Sequence, residues 1–159
     1  MNLNKDVIMK TFPFIHGQYI RIAEYKIEDV LPFVVSDRIM RYIREHKIKK
    51  GSPEYIKITE KKYDGHMVKM MSQRYQLFAK QGITCVQCGV VGQYFGLEKN
   101  KNEERERYHF NLYGIKDGVE TLITKDHILP KSKGGKDTLK NYQVMCFECN
   151  SLKGDEYED

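Results

Sequence analysis

The chain has 159 residues and 18.8 kDa, room for one domain of ordinary size or two small ones. At 40% hydrophobic and 31% charged residues, with 11 Tyr and 7 Phe to fill a core, the composition excludes a chain disordered throughout. The longest uncharged run, residues 81–97, is broken by Gln, Thr and Gly and falls short of the roughly 20 apolar residues of a membrane span, so no membrane partner is expected.

The start, MNLNKDVIMKTFPFIHG, meets an acid early and has no long apolar stretch, so no secretory signal is expected. The expected compartment is therefore cytoplasmic, where four cysteines stay reduced. Net charge is +5, unevenly spread. Residues 1–80 hold 16 Lys+Arg against 9 Asp+Glu, and residues 81–159 hold 11 against 13. A basic front half suggests a polyanion as partner.

In chain order, residues 10–26 read as a strand with Ile20 and Ile22 on one face and Arg21 between them. Ser36 caps a helix in DRIMRYIREHK that Gly51 closes off. Arg38, Arg41 and Arg44 recur every third residue along it, with Lys47, Lys49 and Lys50 beyond. That stripe is either a face that lies along phosphates or an ordinary solvated surface. Residues 66–81 suggest a second helix, with Met67, Met71, Tyr75 and Phe78 as a packing stripe and Gly82 as its stop. A soft boundary falls near residue 80, giving a basic, mixed but mainly helical region 1–80 and a second region 81–159. Further on, residues 108–115 and 119–128 form a hairpin pattern around the turn signal Asp117-Gly118. A loop rich in Lys and Gly follows, then the apolar strand YQVMC and a short terminal helix. The class is α+β.

All four cysteines fall into two pairs, Cys85-Val-Gln-Cys88 and Cys146-Phe-Glu-Cys149. Two intervening residues let both sulfurs of a pair face one ion, and two pairs complete the tetrahedral shell of Zn²⁺. A redox dithiol is the rival reading, and it leaves one pair unexplained. Four thiolates leave no open position, so this zinc would be structural.

Around the second pair stand Asp126-His127, Pro130, Gly134-Gly135, Asn141, Asn150 and Lys153. Asp126 and Asn150 offer hard oxygens suited to Mg²⁺ or Mn²⁺. His127 can take a proton from water near neutral pH. One divalent ion and one imidazole suffice for hydrolysis of a phosphodiester. Neighbours on a strand face opposite ways, so Asp126 and His127 are expected to converge where the strand ends before Pro130. His16, His46, His66 and His109 lack ligand-like spacing and read as structural.

Over residues 83–154 the pattern C-V-Q-C … D-H-I-L-P-K-S-K-G-G … N-Y-Q-V-M-C-F-E-C-N-S-L-K resembles the HNH endonuclease family, with its ββα-metal fold. The name letters fall on His127, Asn141 and Asn150, the last being Asn where some members have His. The resemblance implies a DNA endonuclease with His127 as general base and Asp126 and Asn150 as ligands of the catalytic Mg²⁺. It implies that Asn141 pins the loop carrying the histidine, and it places Lys153 near the scissile phosphate. The cysteine zinc would clamp the last helix. Arg38, Arg41, Arg44, Lys131 and Lys133 are the expected DNA contacts. A short chain with a lysine-rich front is similar to free-standing, phage-encoded members. The alternative is a zinc-stabilised DNA-binding module without cleavage.

Overall fold

A computed structural model describes residues 18–157. Residues 10–17 of the expected first strand, and His16, lie outside the described residues. β1 (Tyr19–Lys26) leads through two short 3-10 turns to helix α1 (Asp37–Glu45) and helix α2 (Pro53–Thr59). A small hairpin follows, β2 (Glu60–Tyr63) and β3 (His66–Lys69), then helix α3 (Gln73–Gln81). The remainder is β4 (Gly92–Asn100), β5 (His109–Lys116), β6 (Val119–His127), β7 (Tyr142–Cys146) and helix α4 (Phe147–Lys153).

Local chemistry sets these elements. Ser36, Ser52 and Ser72 each accept, on the side-chain oxygen, the backbone N–H three residues on, the N-cap bond that starts α1, α2 and α3. Asp117 (φ 52°) and Gly118 (φ 75°) form the two-residue turn of the β5–β6 hairpin, in which Lys116 pairs with Val119. Asp64 (φ 45°) and Gly65 (φ 80°) repeat that turn between β2 and β3. Residues 66–69 are therefore strand, and the expected helix 66–81 begins only at Gln73. Met67 is 49% exposed, whereas Tyr75 and Phe78 are buried as the packing stripe requires.

The main sheet has the order β1-β4-β5-β6-β7, all antiparallel. β1 pairs with β4 across some seventy residues of chain, Tyr19 opposite Asn100. One hydrophobic cluster takes in Val30, Val34, Tyr63, Leu77, Phe95, Phe110, Ile123 and Val144. Sheet and core thus run through residue 80, and residues 18–80 are built into the same body as the rest of the described chain. Stripping residues 1–65 would bare the edge of β4 and open the core.

β1 keeps Ile20 and Ile22 on one face, as the alternation predicts, and that face is the outward one. A bulge between Arg21 and Ala23 shifts the register, so Tyr19 and Arg21 face one side of the sheet and Ala23 and Tyr25 pack on the main core. Ile20 (42%) and Ile22 (41%) point outward. Arg21 lies inward because two carboxylates that are 1% exposed await it: Nε meets Glu98 at 2.6 Å and Nη2 meets Glu120 at 2.8 Å. Its guanidinium also stacks over Tyr113 at 4.6 Å. Burial alone works against the charge, yet Glu98 and Glu120 hold Arg21 firmly protonated.

Candidate active site

The end of β6 is where the predicted site residues gather, and its period of two sorts them by face. Thr124 and Asp126 lie on the side covered by α4. Asp126 is 6% exposed, and its Oδ2 accepts from Gln143 Nε2 (2.9 Å) and Lys153 Nζ (3.0 Å). Asn150 Nδ2 donates to Thr124 Oγ1 (2.9 Å), which commits the amide nitrogen and leaves the carbonyl oxygen for ligation. A carboxylate and an amide oxygen on one face make a hard-donor pair that fits a small divalent cation. Lys153 Nζ also donates to the backbone carbonyl of His127 (2.8 Å), so its ammonium straddles the strand end.

His127 is on the other face. The ladder continues through both residues, Asp126 opposite Gln143 and His127 opposite Tyr142, so the two side chains diverge rather than converge beyond the strand. His127 Nε2–H donates to Asp137 Oδ1 at 2.7 Å, and the ring meets Tyr142 edge-on at 5.0 Å. A carboxylate only accepts, which assigns the proton to Nε2 and leaves Nδ1 as the basic nitrogen. Asp137 also takes Lys131 Nζ (2.8 Å) and the Tyr142 hydroxyl (3.3 Å). Lys131 first, then His127, holds its carboxyl well below the usual range, at about 2.

The loop between β6 and β7 is tied to the strand by one side chain. Asn141 Oδ1 accepts from Leu129 N–H (2.9 Å), and its Nδ2 donates to the carbonyls of Leu129 and Lys136 (both 3.0 Å). Ile128 N–H donates to the Asn141 carbonyl (2.8 Å). Gly135 is required here, since a Cβ would sit 1.7 Å from the Leu129 carbonyl oxygen.

Below α4, the sulfurs of Cys85, Cys88, Cys146 and Cys149 all lie within 4.8 Å of one another, with Cys88 and Cys146 3.8 Å apart. A tetrahedral ion with bonds of about 2.3 Å has sulfur–sulfur edges of about 3.8 Å, so the four cysteines could hold one metal ion. Burial opposes a thiolate at Cys85, yet backbone N–H groups of Cys146, Cys88 and Gln87 outweigh it and bring that thiol down to about 6. The first pair reaches the sheet through Val86 N–H, which donates to the Val144 carbonyl (2.9 Å).

Among the expected nucleic-acid contacts, Arg38, Arg41, Arg44 and Lys133 are exposed, and Lys131 is exposed with its amine on Asp137. Asp137, Tyr142, Gln143 and Gln73 escaped the sequence reading. Gln73, from α3, donates to the Asp137 carbonyl (3.2 Å) and accepts from the Tyr142 hydroxyl (3.0 Å). None of these has a fixed spacing to His127 that chemistry demands; only the β6–β7 pairing and the fold of the loop reveal them.

Two strands, a pinned loop and a following helix, with a histidine at the strand end and a cysteine cluster beside them, make up this part of the chain. Residues 115–159 match the family model described as HNH endonuclease. Searches of the curated proteins and of the solved structures find no match. Among the described residues no helix is long and apolar enough to cross a membrane.

Proposed function

We propose that the chain is a metal-dependent DNA endonuclease whose scissile phosphate lies at the end of β6. The observation that carries this reading is the His127–Asp137 bond at that strand end, inside the family-matched segment, with the Asp126 and Asn150 oxygens on the strand's other face. The two faces meet where Lys153 Nζ touches both the Asp126 carboxylate and the His127 carbonyl. His127 Nδ1 takes a proton from water, the water oxygen bonds to phosphorus, and the bond to the 3′-oxygen breaks. The leaving oxygen takes a proton from solvent, giving a 3′-hydroxyl and a 5′-phosphate. Asp137 holds the imidazole in the reactive tautomer and steadies the imidazolium formed.

Asp126 and Asn150 would hold the Mg²⁺ or Mn²⁺ ion, which when bound supplies Lewis-acid stabilisation of charge on the phosphate. The four cysteines would hold a structural Zn²⁺, which would clamp α4 to the sheet. Asn141 fixes the loop; Lys153 contacts the phosphate. The division of labour runs near residue 80, with residues 81–159 cutting and residues 1–80 adding phosphate affinity through Arg38, Arg41 and Arg44. A reducing cytoplasm would keep the thiols available for zinc. The test is relaxation of supercoiled plasmid by the zinc-loaded chain with Mg²⁺ or Mn²⁺, followed by sequencing of the ends. Nicking that His127→Ala lowers by about 10²–10⁴-fold is expected. DNA binding with no nicking under either metal would overturn the reading in favour of a non-catalytic module.

A further inference from the structure

Beside the His127 site, an open groove of about 700 Å³ runs under β3, α3 and the loop before β5. Its cations come from four separate places in the chain: Lys69 in β3, Arg74 in α3, Arg107 in the loop and Lys125 in β6. Three of them lie outside the family-matched segment. Two carboxylates, Glu60 and Glu106, also line it, and Glu106 is 4.0 Å from His66 Nδ1. Arg74 spends one nitrogen on the Phe110 carbonyl (2.7 Å) and keeps further N–H groups for a ligand. Met67 and Tyr108 give the groove apolar wall.

The groove is linked to the imidazole through Lys125 and Gln73, which line it. Lys125 and His127 share one face of β6, and Lys125 Nζ stands 4.2 Å over the ring of Tyr142, whose edge meets His127. Gln73 lines the groove and bonds both Asp137 and Tyr142. From these contacts we infer that the groove seats the phosphate backbone of the DNA strand leaving the His127 site, with Lys69, Arg107 and Lys125 as its phosphate contacts. The inference rests on the endonuclease reading and extends it to where substrate lies.

Burial and then Arg74 lower the His109 pKa beside the groove. Cations gathered along one open groove favour an incoming polyanion. Four cations strung along one groove suit a chain of phosphates better than a single small anion.

The test measures binding of a labelled duplex of about 20 base pairs, two helical turns, by the zinc-loaded full chain without added Mg²⁺, over a range of salt. Lys69→Gln/Arg107→Gln/Lys125→Gln should weaken binding roughly 10–50-fold and flatten the salt slope by about two to three. Lys26→Gln/Lys57→Gln/Lys101→Gln removes the same charge away from the groove and should change affinity less than about threefold. Because Lys69 and Arg107 are exposed, Lys69→Gln/Arg107→Gln serves if the triple variant melts early. Wild-type affinity and slope in the groove variants, or an equal loss in the control, would overturn the inference, as would groove-dependent binding that RNA of the same sequence wins. A wild-type chain that binds duplex but never nicks would sink the endonuclease reading alone, since the salt slopes still decide the groove.

Discussion

Under α4, Asp126 is 6% exposed and wrapped by Gln143, Lys153 and, two residues back along the strand, the Thr124–Asn150 bond. On the opposite face of the same strand, the His127 side chain keeps 24% of its surface. One strand therefore offers a dry, crowded face that fixes oxygens and a wet face that can exchange protons with solvent. A buried carboxylate is held in place by its partners, whereas an imidazole that must pick up and release a proton needs water beside it. The sheet's alternation keeps the two conditions a single residue apart.

The sharpest way to break the covered face is Cys149→Ser. Loss of a thiolate from the four-sulfur shell should release zinc, whose binding supplies roughly 10 kcal/mol or more of folding energy in small zinc modules. Metal analysis and thermal melts should show both losses together, and binding should go with them. On the open face, His127→Ala should leave zinc content, melting and DNA binding near wild type while cleavage falls about 10²–10⁴-fold, read in a nicking assay. An unchanged cutting rate would remove His127 as the base. Asp137→Asn should lower the cleavage rate about 10–100-fold, as for other partners that orient a functional imidazole, with Kd for DNA unchanged. Tyr142→Phe removes two hydroxyl contacts, to Gln73 and Asp137, and should shift stability by only about 0.5–1.5 kcal/mol in denaturant melts.

Much of this arrangement was legible because strong local signals coincide with tertiary ones. Asp117-Gly118 sits between two apolar runs, and the hairpin forms where the sequence places it. Ser36 precedes an amphipathic run and caps α1. The cysteine pairs announce their cluster by spacing alone. Three features were not legible. The same Asp-Gly turn at 64–65 lay in a lysine-rich stretch without apolar alternation, so β2 and β3 were hidden and Met67 passed for helix core. The alternation in β1 puts Ile20 and Ile22 on one face, but which face turns inward is set by the distant Glu98 and Glu120, which draw Arg21 in. Asp137 is one carboxylate in a polar loop, and only the closure of that loop by Asn141 brings it to His127. Each miss is a long-range contact overriding a local pattern.

The bond from Val86 N–H to the Val144 carbonyl has a consequence for self-association. β7 is the last strand of the sheet, short and apolar, and its outer rim presents backbone groups able to pair with another chain. The segment carrying Cys85 and Cys88 occupies part of that rim. The cysteine cluster thus acts as a guard on an exposed sheet edge as well as a clamp on the helix. If an ion held by the four cysteines tethers that segment, its removal would free the rim as a template for intermolecular strand pairing.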